Sequence, residues 1–184
     1  MKVIFYNNDL VKAVKVLKEF TPKKKNYRGI LDTISITVNE DDKVLLKVTD
    51  GYIYACIEMK DAEVFNEGFK NEINLNAKQL YQLIESIDSE MILDDNKLII
   101  NEVSSYDIES MEVKDKFPVV TINEIHQANT SFVISPSIAA RLFKALSKEF
   151  DNISIIKNST YTLSFNGENN KFKIEGLISI MRKD

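Results

Sequence analysis

The chain has 184 residues, of which 44% are hydrophobic and 28% are charged, and its formal net charge is −4. This length can bury a sizeable core, and no apolar run approaches the roughly 20 residues that a membrane helix requires. The N-terminus also lacks the pattern of a signal peptide, so we expect a cytoplasmic protein. Cys56 and His126 are the single cysteine and histidine, which excludes an internal disulfide and a zinc site of the usual kind.

The first third of the chain predicts a strand, a helix and three further strands. An apolar strand at 3–6 leads through an asparagine cap, Asn7 or Asn8, into a helix that ends before Pro22. The apolar stripe of this helix consists of Leu10, Val14 and Leu17. Alternating apolar residues predict strands at 33–38, 43–49 and 52–59.

The same order of elements recurs twice. The second unit has a strand at 73–75, the cap Asn76, a helix to residue 87, and strands at 90–93, 97–101 and 106–113. The third unit has a strand at 132–134, a helix started by Ser135 and Pro136, and strands at 153–156, 161–165 and 172–180. The apolar stripes of these two helices, 59 positions apart, are Leu80, Leu83, Ile84 and Ile87, and Ala139, Leu142, Phe143 and Leu146.

A repeat of this length predicts a duplicated architecture. We expect an α+β fold with helices on one face of antiparallel sheets. If units pair two to a domain, residues 1–118 form a complete domain, 119–130 a linker and 131–184 a half-domain. The half-domain would be left with an open sheet edge that a partner chain would cover.

Charge is distributed unevenly along the chain. Cations concentrate on the helices and in the loop after the first one, while acids gather in strand turns. On the third helix the polar face carries Ser137, Arg141, Lys144 and Lys148. Such a surface would bind a polyanion on one side of the protein, and the alternative is an ordinary solvated helix face.

Several short motifs, in this order and spacing, resemble those of the bacterial DNA polymerase sliding clamp, the beta subunit of the replicative polymerase. They are Gly-Ile-Leu at 29–31, Thr-Asp-Gly at 49–51, Asn-Ala-Lys-Gln-Leu at 76–80, Ser-Met at 110–111, Phe-Pro at 117–118 and Ile-Met-Arg at 180–182. The resemblance covers nearly the whole chain. It implies the clamp fold and a ring around duplex DNA, with helices lining the hole.

The resemblance also implies partners and site residues. The partners would be duplex DNA, a DNA polymerase and a clamp loader, without catalysis, cofactor or metal. The residues expected to contact DNA are Lys12, Lys15, Lys23, Lys24, Lys25, Arg28, Lys78, Arg141, Lys144 and Lys148. A groove for partner proteins near the last strand would include Leu177, Ile178, Ile180 and Met181.

The chain departs from the family in length, because three units are about half of a bacterial clamp chain. A clamp-like protein of a phage, plasmid or other mobile element would fit this size. Since the family's rings contain twelve units, four chains would complete one, so we expect a homo-oligomer, a tetramer rather than a dimer. An unpaired third unit would find its mate in the third unit of a neighbour.

Two other functions stay open. The first is a protein-interaction module that mimics part of a clamp and binds or competes with host replication proteins. The second is a metal-dependent hydrolase that uses the acidic residues of the turns, Asp41, Asp42, Asp94 and Asp95. A tight turn explains Asp50 and Gly51 more simply than catalysis does.

Overall fold

A computed structural model describes residues 2–22, 28–65, 72–120, 134–157 and 162–179. Within these residues lie three α-helices, α1 (Asp9–Leu17), α2 (Ala77–Ile84) and α3 (Pro136–Leu146). The strands of the same residues are β1 (Lys2–Phe5), β2 (Thr33–Val38), β3 (Val44–Thr49), β4 (Ile53–Met59), β5 (Glu63–Phe65), β6 (Glu72–Asn76), β7 (Met91–Asp94), β8 (Lys97–Ile100), β9 (Ser104–Asp107), β10 (Ile153–Lys157), β11 (Thr162–Glu168) and β12 (Phe172–Ser179).

The described strands form two antiparallel sheets. The smaller sheet has the order β5, β1, β7, β8, β9, and the larger one has the order β10, β11, β12, β4, β3, β2, β6. The first strand of each of the first two units therefore lies in the sheet of the other unit: β1 pairs with β7, and β6 pairs with β2. Because of this exchange, neither unit completes its sheet without the other.

The third unit continues the sheet of the first. Strand β12 pairs with β4 from Phe172 opposite Met59 to Ile178 opposite Ile53. Helix α3 packs against α1 and against the 3-10 turn Lys18–Phe20. The ring of Phe20 stacks on that of Phe165 in β11, with centroids 5.9 Å apart, so one apolar core runs through both units.

The α+β class and the antiparallel sheets confirm the expectation from the sequence, while several element bounds were wrong. Helix α2 ends at Ile84 rather than 87. The segment expected as a strand over 106–113 consists of β9 and a 3-10 turn, Glu109–Met111, and β5 was not anticipated. The cap of α2 is confirmed, since the Asn76 side chain accepts a hydrogen bond from the Gln79 amide.

The start of α3 differs from the expectation in two respects. Ser135 precedes the helix, but its hydroxyl bonds the hydroxyl of Ser137 instead of capping a backbone N–H. Phe143, expected in the core, is 54% exposed, and the buried residues of this helix are Leu142, Ala145 and Leu146. The division into a domain at 1–118, a linker at 119–130 and a half-domain stays a prediction, and residues 121–133 lie outside the described ranges.

The face of the larger sheet opposite the main core carries a second apolar cluster. Its buried members are Ile30, Tyr54, Cys56 and Phe117. Burial raises the pKa of the Cys56 thiol to about 11, and it also raises the pKa of Tyr54. Cys56 is therefore an inert packing residue.

Candidate nucleic-acid interface

Helices α2, α1 and α3 lie side by side, with α1 in the middle. At the end of α1, the Lys18 ammonium lies 3.1 Å from the ring centroid of Tyr81 on α2. The next residue, Glu19, receives hydrogen bonds of 3.0 Å from the Lys144 ammonium of α3. The fold thus brings the polar faces of these helices together, which the sequence alone could not establish.

Arg141 joins α3 to the first unit. Its guanidinium donates to the Asp50 carboxylate (2.7 Å) and to the backbone carbonyls of Glu19 and Thr21. The side chains of Arg141 and Asp50 are 19% and 8% exposed. The other carboxylate oxygen of Asp50 accepts from the amides of Tyr52 and Ile53, which closes the turn. Arg141 was expected to contact DNA, but its donors already serve the junction between units.

Two other cations also have acidic partners. The Lys12 ammonium lies 3.8 Å from Asp9, one turn earlier on α1. Asp9 is 3% exposed and also accepts a hydrogen bond from Lys171, next to β12. Nothing in the order of residues pointed to Asp9 or Lys171, because 162 positions separate them and the fold alone makes them neighbours.

The remaining predicted cations fall into three groups. Within the described ranges, Lys15, Lys78 and Lys148 form no ion pair, so their charges are available to an anion. Arg28 lies in the described part of the chain and takes part in an interaction of its own. Lys23, Lys24 and Lys25, expected as the principal DNA contacts, lie outside the described residues.

Comparisons of structure place this arrangement among known proteins. A sliding clamp from Bartonella birtlesii matches with a TM-score of 0.75 and 14% identity, over 100% of this chain and 66% of the clamp chain. The DNA polymerase beta subunit of Streptococcus pyogenes (0.71, 14%) and the sliding clamp of Bacillus subtilis (0.70, 12%) match over 100% of this chain and 65% of theirs.

The chain has the sliding-clamp fold. It spans just under two thirds of the length of these clamps. No protein-family model matches the sequence, and no curated protein matches it either. The likeness is therefore one of fold at low sequence identity, as the short motifs had indicated.

The groove expected at the end of this clamp fold is partly described. Leu177 is partly buried and packs against the second apolar cluster around Tyr54. Ile178 points to the other face, is completely buried in the main core, and so offers no surface to a partner. Ile180 and Met181 lie outside the described ranges.

The acidic turns lie in different sheets. Asp41 and Asp42 belong to the turn between β2 and β3. Asp94 is the last residue of β7, and Asp95 follows it in the turn before β8. Among the described residues, no three side chains of the metal-binding types come close enough to hold an ion. The same ranges contain no helix that is long and apolar enough to cross a membrane.

Proposed function

We propose that this protein is a sliding clamp-like processivity factor, which self-associates around duplex DNA and tethers a DNA polymerase without catalysing a reaction itself. The observation that carries the proposal is that the clamp fold accounts for the whole chain, with α1, α2 and α3 side by side. One fold can host several functions, so the test of this proposal is retention on DNA.

The unpaired cations supply the DNA contact in this proposal. Lys15 lies on α1, Lys78 lies on α2, and Lys148 lies in the turn that follows α3. Lysine meets phosphate as a point charge that reads no sequence. With few phosphates neutralised, binding to linear duplex is weak and falls steeply with salt. The acids of the outer turns repel DNA from the other surfaces.

A closed ring predicts topological retention, which distinguishes a clamp from an ordinary DNA-binding protein. The chain is mixed with nicked circular plasmid and passed over a sizing column near physiological salt. We expect it to stay with the circles and to be lost when the plasmid is linearised, because a ring slides off free ends. Equal retention on both forms, or none on either, contradicts the proposal.

Charge reversal tests the helix cations. Lys15, Lys78 and Lys148 changed together to glutamate should abolish retention on circles, as should Lys23, Lys24 and Lys25 changed to glutamate. The control is Lys173→Glu, one substitution of the same kind at an exposed position of β12 beyond the helices. If the control impairs retention as much as the helix variants do, the helices are not the DNA contact.

A second candidate is a clamp mimic that binds host replication proteins without encircling DNA. The favouring observation is that Lys12, Arg141 and Lys144 have acidic partners within the chain, which removes cations from the expected lining. The mimic predicts no DNA retention and no effect of either set of glutamate substitutions. Co-purification with a bacterial clamp or polymerase would then be the positive result.

A further inference from the structure

The third unit lacks a mate among the described residues. In the first two units, the first strand after each helix pairs with the opening strand of the other unit: β2 with β6, and β7 with β1. The corresponding strand of the third unit is β10, which pairs with β11 on one side. Its other edge is the end of the larger sheet in the described part of the chain.

Within the described ranges, α3 packs against α1 and the turn after it, and no fourth α-helix is present to pair with α3 as α2 pairs with α1. Helices α2 and α3 begin after Asn76 and Ser135, so equivalent positions differ by 59. Ile84, on the helix that packs against α1, is completely buried, whereas its equivalent Phe143 is 54% exposed. The same helix position thus carries a buried apolar side chain in the second unit, which has a mate, and an exposed one in the third unit.

The end of the core beside α3 is incompletely closed. Ile134 and Ile138, at the start of the helix, and Ile153 and Ile155, in β10, pack against the core but stay partly exposed. Phe143 adds an exposed apolar ring, so the third unit presents apolar side chains on both α3 and β10. Exposed apolar surface of this kind next to an unpaired strand edge marks an interaction site.

We infer that the open side of the third unit binds the third unit of a second copy of this chain, about a twofold axis. The mate that the fold calls for is another unit of the same kind, and units one and two already complete each other. Another copy supplies an unmated third unit, and a twofold contact lets one self-complementary surface serve both chains. The inference rests on the self-association in the proposed function and assigns it a surface.

Electrostatics favour a second copy over a strongly acidic partner. Lys144, the residue after Phe143, is paired with Glu19 of its own chain. The positive charge of Lys144 is therefore offset before association, so two copies that meet at Phe143 do not bring two unpaired Lys144 ammonium groups together. Two chains paired in this way would form one domain from units one and two of each chain and a central domain from the two third units. Strand β9, the exposed edge strand of the smaller sheet, would then lie at each end of this pair of chains.

Solution mass tests the inference on the full chain. Light scattering at several concentrations should give a multiple of 21.1 kDa. Phe143→Glu should halve that mass, since a charge in the contact would face its own symmetry mate. Val119→Glu is the matched control, because Val119 is 96% exposed outside the third unit and should leave the mass unchanged.

The outcomes are decisive in both directions. A wild type that stays monomeric at the highest concentration overturns the inference, as does a folded Phe143→Glu variant of unchanged mass, with folding checked by circular dichroism. An equal effect of the control would do the same. A wild type that is oligomeric, whose mass is halved by Phe143→Glu, but that does not stay on circular DNA would refute the proposed function and leave this contact standing.

Discussion

At the scale of single residues, Arg141 shows that the tertiary structure decides which partner a charged side chain binds. By sequence it belongs to a cationic helix face, yet the guanidinium is mostly buried against Asp50 and two carbonyls of the first unit. Arginine suits this position because its planar fork serves several acceptors at once. A guanidinium with these partners contributes more to the packing of the third unit on the first than to the binding of a ligand.

Replacing Arg141 by alanine should therefore destabilise the protein. It leaves the Asp50 carboxylate buried without its cation, and breaking such a pair costs about 3 kcal/mol. Urea unfolding followed by circular dichroism measures the loss. The control, Lys144→Ala, breaks an exposed pair with Glu19 and should cost less than about 1 kcal/mol. Equal losses in the two variants would show that burial adds nothing to the Arg141 contact.

At the scale of elements, the pairing of β4 with β12 depends on close approach. Gly176 in β12 lies opposite Ala55, and a Cβ atom at this position would overlap the Phe165 ring and the carbonyl oxygen of Tyr54. One contact is backbone, so the junction cannot relax by moving a side chain alone. Glycine is required there by packing rather than by backbone dihedral angles.

Gly176→Ala should lower the free energy of unfolding by about 1 to 3 kcal/mol, the usual cost of overpacking. The measurement is urea or thermal unfolding. Gly29→Ala is the control, because the nearest atom to its added Cβ is Val113 Cγ1 at 3.9 Å, and its effect should stay within about 0.5 kcal/mol. An unaltered stability of Gly176→Ala would mean that the strands are more loosely joined than the structure indicates.

At the scale of the whole molecule, the three units share their sheets and their core. Units one and two exchange strands, and the third adds to β4 with Phe165 stacked on Phe20. The ion pairs of Asp9 with Lys171 and of Asp50 with Arg141 also join the third unit to the first. These contacts couple the third unit to the first, although the sequence separates them widely.

The chain should accordingly unfold in a single cooperative transition. Scanning calorimetry of dilute protein should give equal calorimetric and van't Hoff enthalpies, the test of a two-state transition. Limited proteolysis provides the cross-check, since it should release no stable fragment corresponding to residues 1–118. Two separate transitions would instead support an independent domain at 1–118 with a separately folding half-domain.

The sequence by itself determined most of the elements and their repetition. Helical spacing of apolar residues, the asparagine cap at Asn76 and alternating strands are local patterns, so they identified α+β units and led to the clamp resemblance. What a unit pairs with is not local. The strand exchange, the docking of β12 on β4, the ion pair of Arg141 with Asp50 and the exposure of Phe143 depend on residues far apart in the chain. Only the tertiary structure could decide them. The apolar face of a helix and the edge of a strand have the same sequence pattern whether or not another element packs against them.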